Sequence, residues 1–255
     1  MNFLAASHTD VGIKKKTNQD SLLVQQARTE YGNVLLAVVC DGMGGLSKGE
    51  VASAGVIHAF SDWFQNEFPS ILYDGMQPAT LRTSWEQLVT NANIRISEYA
   101  ERSMVNMGTT CVAFLAINDV YYILNVGDSR VYLISDNIYQ LTKDQTYVQR
   151  EMDANRMTYE QAMRDPQRNV LLQCIGASDY VQPDFFTGML TENQCFLLCS
   201  DGFRHVINPD ELYQALMPAV ATEVQTMKNN LMQLTELNKQ RMETDNISAI
   251  LIRTY

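Results

Sequence analysis

The chain has 255 residues, 46% hydrophobic and 19% charged, which suits a folded protein with a sizeable core. Its formal net charge of −10 disfavours nucleic acid or an anionic membrane surface as the main partner. No apolar run approaches the ~20 residues needed to span a bilayer, and "MNFLAASHTD" lacks a signal-peptide pattern, so a cytoplasmic protein with no membrane partner is expected.

Residues 1–40 read as short strands, with Leu22–Val24 and Val34–Cys40 set off by polar turns. From Lys48, "GEVASAGVIHAFSDWFQNEF" carries small and apolar residues at helical spacing. A loop containing Pro69, Gly75 and Pro78 follows, then a helix from about Thr80 to Arg102. Leu81, Trp85, Leu88, Val89, Ala92, Ile96 and Tyr99 mark one face of that helix.

Strands return in "TTCVAFLAI", "VYYILNV", "RVYLIS" and "IYQLT", and the Asn-Asp, Gly-Asp and Asp-Asn pairs between them suit a meander of hairpins. Residues 144–168 are polar and Met-rich with two short helical patterns, the mark of a surface insertion. "QCFLLCSDG" is another apolar run ending in Asp-Gly. "NPDE", 208–211, starts a helix with an Asn cap, a first-turn Pro and acids facing the dipole. Val224, Met227, Leu231, Leu234 and Leu237 line up on a later helix, and "NISAILIRTY" closes the chain as a strand. Strands fall in two groups, each followed by helices, without strict βαβ alternation. The expected class is therefore α+β, with two mainly antiparallel sheets packed together and helices outside.

The five cysteines, Cys40, Cys111, Cys174, Cys195 and Cys199, form no CxxC pair and read as free buried thiols. His8, His58 and His205 stand far from any cysteine pair, so no zinc site is expected. Asp74-Gly75 lies in a polar loop and needs nothing beyond a turn.

Asp41, Asp128 and Asp201 each close an apolar run, and Asp245 opens one. Such aspartates are common strand terminators. Gathered at one rim they would repel one another and raise their own pKa values, a conflict that Mg2+ or Mn2+ resolves. On pattern alone both readings stand. A nucleotide loop is disfavoured: "GMGGLS" has Ser47 in the last glycine place, and "GLSK" has the wrong order for a phosphate loop.

Taken in order, "TDVGIKKKTNQD" (9–20), "VVCDGMGG" (38–45), "GEVAS" (49–53), "MGTT" (107–110), "VGDSR" (126–130), "LTKDQT" (141–146), "PQRNVLLQCIG" (166–176), "LLCSDG" (197–202) and "DNIS" (245–248) resemble the motifs of metal-dependent protein phosphatases. This is the type 2C, or PPM, family, and the likeness is to its compact bacterial members. The resemblance implies a four-layer α/β-β/α sandwich, one catalytic domain over 1–255, with residues 144–168 as a flap. It also implies two Mn2+ or Mg2+ ions and a weaker third. Asp41 would bridge the two ions, the Gly42 carbonyl would join one, and Asp201 and Asp245 would complete the other. Asp20 would hold waters of the ions, and Asp128 with Asp201 would take the third. The implied reaction is hydrolysis of phosphoserine and phosphothreonine in proteins, opposing a Ser/Thr kinase, by a monomer.

Some positions depart from the family pattern. Lys15 stands where an arginine clamps phosphate, giving charge without a bidentate fork. Gln19 replaces a glutamate, Met43 replaces the histidine of animal relatives, and Gln145 replaces a flap histidine. Arg130 is placed to brace the Asp128 loop, and His58 and His205 read as structural. The alternative is a pseudophosphatase, a phosphoprotein-binding regulator without turnover.

Overall fold

The computed structural model describes residues 1–43 and 48–255; the Gly44-Gly45 end of "VVCDGMGG" and most of the disfavoured nucleotide loop lie outside the described residues. The chain runs β1 (Phe3–Asp10), β2 (Ser21–Thr29), β3 (Gly32–Cys40), β4 (Gly42–Met43), α1 (Gly49–Asn66), α2 (Phe68–Tyr73) and α3 (Pro78–Ser103). Then come β5 (Gly108–Thr109), β6 (Cys111–Ile117), β7 (Val120–Val126), β8 (Arg130–Ile134), β9 (Ile138–Gln140), α4 (Tyr147–Asp153) and α5 (Tyr159–Arg164). The last part is β10 (Asp184–Met189), β11 (Cys195–Cys199), α6 (Asp201–Arg204), α7 (Pro209–Leu216), α8 (Val224–Gln240) and β12 (Ile247–Thr254).

Two five-stranded sheets form, in the orders β1-β12-β11-β8-β9 and β10-β7-β6-β3-β2, with antiparallel pairings throughout. The buried run Val34–Cys40 shows why they stack. Val34, Leu36, Val38 and Cys40 join the core under α1 and α3, while Leu35, Ala37 and Val39 join the core between the sheets. On β11, Leu197 and Cys199 face the core shared with α6–α8, and Phe196 and Leu198 meet Leu35, Val39 and Phe114 of the other sheet in the middle. Alternating side chains on a sheet covered on both faces give a continuous apolar run. Three cores separate four layers, the expected α+β sandwich.

Several local readings need correction. The Asn-Asp and Asp-Asn turns join hairpins, but Gly127-Asp128 carries the chain from β7 in one sheet to β8 in the other. A turn residue reports reversal and not the partner; β8 instead pairs with β11, some sixty residues later. The loop holding Pro69 contains α2, because proline in a first turn has no intrahelical N–H bond to lose. On α3, Asn93 and Ala100 are buried while Tyr99 is exposed and Leu88 is only partly covered. Asn93 is inside because it accepts from Gly176 N at 2.7 Å and donates to the Ser178 carbonyl at 3.0 Å. Cys174 is half-buried, unlike the other four thiols, and Val224 at the start of α8 is exposed. Residues 144–168 do carry two short helices, α4 and α5, and the Asn208 capping box opens α7 as expected. Among the described residues no helix is long and apolar enough to cross a membrane.

Candidate metal centre

Asp41 sits where β3 leaves its sheet. Its N–H donates to Thr110 Oγ1 at 3.0 Å, and its carbonyl accepts from Thr110 N at 2.9 Å and Thr109 Oγ1 at 3.0 Å. The "GTT" motif thus clamps the backbone that presents the Asp41 carboxylate. Gly42 next to it pairs with Thr109 in a two-residue ladder. A Cβ on Gly42 would collide with the carbonyls of Gln19 and Gly49, so only glycine lets β4, the Gln19 strand start and α1 meet here.

Asp201 and Asp245 are brought together by a second close approach. Ser200 N donates to the Ser248 carbonyl at 3.0 Å and Ser248 N donates to Ser200 Oγ at 3.1 Å. Asp201 then opens α6, and Gly202 packs so tightly on the Asp245-Asn246 turn that a Cβ would overlap the Asn246 carbonyl. Asn246 continues the stitching. Its Oδ1 accepts from Gln19 N at 2.9 Å and its Nδ2 donates to the Val11 carbonyl at 2.9 Å, which fixes the "NQD" segment and Asp20 beside the same turn.

The carboxylates feel one another. Burial pushes the Asp41 carboxyl well above the usual range, and Asp20, Asp201, Asp128 and Asp245 all push it further. Asp20 rises to about 7, first through burial and then through Asp201 and Asp245, against the pull of the Ser248 and Ser200 hydroxyls. Those hydroxyls are engaged elsewhere, Ser248 with Thr9 at 2.7 Å and Ser200 with the Ser248 backbone, and among the described residues neither Asp20 oxygen has a hydrogen-bond partner of its own. Asp201 Oδ1 is likewise buried and unpartnered. Lys15 Nζ lies 2.8 Å from Asp245 Oδ1. Burial works against its charge, yet Asp245, Asp41 and Asp201 together raise the Lys15 pKa.

Crowded, orphaned, buried carboxylates are an unstable arrangement by themselves and a suitable one for hard divalent cations. Among the described residues no three His, Cys, Asp or Glu side chains are grouped tightly enough to cage one ion. Mg2+-type sites need no such cage, since one or two carboxylates with several waters are usual. A cavity of about 990 Å³ between α1 and α3, lined by Gly55, Trp63, Ser84, Ala92 and Arg95, shares no residue with this cluster.

Asp41 therefore lies within electrostatic reach of Asp20, Asp128, Asp201 and Asp245, and Lys15 within reach of Asp41, Asp201 and Asp245. Gln19 is buried, with Nε2 3.3 Å from Glu50 Oε2. Arg130 braces Asp144 through two 2.7 Å bonds. Gln145 accepts from Gly127 N at 2.8 Å and donates to Asp184 Oδ2 at 2.8 Å, so it anchors the start of the 144–168 segment. His58 is exposed on α1.

Three residues of the site were not read from sequence in these roles. His205 bridges Asp201 Oδ2 (3.3 Å) and Glu243 Oε2 (3.4 Å), and Glu243 Oε1 accepts from Thr244 N and Asp245 N at 2.6 and 2.9 Å. Arg204 reaches Asp128. The available signal was helical spacing, since Arg204 and His205 follow Asp201 by three and four residues.

The sequence profile described as Protein phosphatase 2C matches residues 6–240. The serine/threonine phosphatase stp of Listeria monocytogenes is 30% identical over 213 residues, 83% of this chain and 82% of that one. The serine/threonine protein phosphatase PstP of Mycobacterium tuberculosis is 32% identical over 218 residues, 85% of this chain and 39% of that one. The S. agalactiae serine/threonine phosphatase structure superposes with a TM-score of 0.85 at 27% identity, covering 100% of both chains. The catalytic domain of PstP in complex with 2 manganese ions gives a TM-score of 0.78 at 27% identity, covering 98% of this chain and 97% of that one.

Proposed function

This chain belongs to the protein phosphatase 2C (PPM) family and is a protein phosphatase, and from that premise we propose the residues and substrate by which it acts. Asp41, the Gly42 carbonyl, Asp201 and Asp245 hold two Mn2+ or Mg2+ ions, and the substrates are phosphoserine and phosphothreonine in proteins, among them those of a Ser/Thr kinase. The whole of 1–255 serves as one catalytic domain, with residues 144–168 as its flap.

When bound, such ions supply Lewis acidity and lower the pKa of water toward neutrality. The chain's own residues do the rest. Asp20, buried with both oxygens unpartnered, accepts hydrogen bonds from water and orients it toward the substrate phosphorus. Lys15 offers its ammonium to a phosphate oxygen from beside Asp245. The "GTT" clamp and the Asn246 stitches hold the Asp41 and Asp20 backbones, so little reorganisation is left for the reaction.

The gathering of Asp20, Asp128, Asp201 and Asp245 around the buried Asp41, whose carboxyl burial and then these four groups raise, is the observation that supports this reading. Mn2+-dependent release of phosphate from a phosphothreonine peptide, abolished by EDTA and by Asp41→Asn, is the test. Mn2+ binding without turnover would leave a phosphoprotein-binding regulator instead.

A further inference from the structure

Resting on the two-ion reading above, we propose that Arg204 is a built-in cation for Asp128, so that this phosphatase binds two ions and not the third that the family resemblance implies. The guanidinium takes the third ion's place and ties the flap root to the metal centre.

Arg204 is the last residue of α6, three positions after Asp201. Its Nη2 donates to the Asp128 carbonyl at 3.0 Å and lies 3.7 Å from Asp128 Oδ2 and 3.4 Å from Asp144 Oδ2. Asp144 is also held by Arg130, through Nε and Nη2 at 2.7 Å each, and Arg130 Nη1 donates to Tyr132 Oη at 2.8 Å. The side chains of Arg204, Asp128 and Asp144 are nearly enclosed. Two arginines and two aspartates are thus packed into one largely buried group.

The rest of the centre differs. Among the described residues both Asp20 oxygens and Asp201 Oδ1 are buried with no hydrogen-bond partner. Asp128 has the Arg204 guanidinium beside it. A divalent ion set between Asp128 and Asp201 would stand against a guanidinium with little water to screen the repulsion. Arginine does not lose its proton, so the conflict cannot be relieved by titration. The third site therefore does not fit these residues.

The same arginine reaches the flap. Asp144 begins the 144–168 insertion, and the next residue pairs with the Asp128 loop in both directions. Gln145 N donates to the Gly127 carbonyl at 3.0 Å and Gly127 N donates to Gln145 Oε1 at 2.8 Å. Arg204 closes this loop-to-flap junction from the α6 side.

Equilibrium dialysis in millimolar Mn2+ counts the bound ions and is independent of turnover. Wild type and Asp128→Asn are both expected to hold two. Arg204→Gln, which keeps a donor but loses the charge, is expected to gain a third, weaker ion that Arg204→Gln/Asp128→Asn loses. Arg204→Thr serves as a second variant if the first does not fold. Three ions on wild type, falling to two in Asp128→Asn, would overturn the proposal without any arginine variant. An arginine variant still at two would also overturn it. Wild type with no ion would instead overturn the two-ion reading, and this inference with it.

Discussion

Lys15 Nζ lies 2.8 Å from Asp245 Oδ1, so the lysine proposed to meet the substrate phosphate is held by a carboxylate of the proposed metal centre. The pair is more than a third exposed on both sides, and its contribution to stability is small. Its consequence is for binding. Lys15→Ala should raise KM for a phosphopeptide by about tenfold with a smaller change in kcat, since it removes one charge-assisted contact. Lys15→Arg, which supplies a bidentate fork, should lower KM below wild type. Steady-state kinetics with one phosphothreonine peptide decides both; an unchanged or higher KM for the arginine variant would reject the assignment.

The crowded carboxylates make the metal-free protein pH-sensitive. Asp20 is raised to about 7 in the fold against 3.8 as the ordinary value. Between those values the folded chain binds more protons than the unfolded one, so stability falls as pH rises. Below about pH 4 both states are protonated and the penalty is gone. In EDTA, the Tm advantage of Asp20→Asn over wild type should therefore grow from pH 5 to pH 7.5. Saturating Mn2+ should raise wild-type Tm at pH 7.5, because a ligand of the folded state alone stabilises it. Differential scanning calorimetry reads both, and a pH-independent gap would refute the first.

Glu243 has no expected contact with substrate, yet its two oxygens hold Thr244 N, Asp245 N and His205, which in turn holds Asp201. Supports of this kind orient the groups that touch a metal. Glu243→Ala should weaken Mn2+ affinity by about 10- to 100-fold. Glu243→Gln, which can still accept the two backbone N–H groups, should lose less. Calorimetric titration of Mn2+ would show whether the order is as stated.

Gly202→Ala tests the approach of α6 to the Asp245-Asn246 turn. The added methyl would overlap the Asn246 carbonyl and press on Asp245 Cβ, 3.2 Å away, so backbone must move. Overpacking of this kind costs about 1–3 kcal/mol. Urea unfolding should show that loss, and Mn2+ affinity should drop with it. Gly75→Ala is the control for a glycine with open space around it, where only its positive φ is at issue.

Much of this was legible in the residues. The Val34–Cys40 and Cys195–Cys199 runs announced strands, and Asn208-Pro209 announced the start of α7, because these signals are local. Asp41, Asp201 and Asp245 stood out because a carboxylate beside such a run calls for a partner. The Gly127-Asp128 crossing misled, since a hairpin signal says nothing about which sheet receives the next strand. Asn93 on α3 escaped notice for the same reason: its partners, Gly176 and Ser178, are more than eighty residues away.

By itself the sequence determined most of the strands and helices, the layered class and the aspartates proposed to carry the chemistry. Each rests on nearest-neighbour sterics, hydrophobic period or the cost of a carboxylate beside apolar residues. Only the tertiary structure decided what neutralises each of those charges: Lys15 beside Asp245, Arg204 beside Asp128, and no partner for Asp20. Those pairings follow from how the two sheets stack and where α6 docks, and charge interactions act through space across whatever the fold brings near.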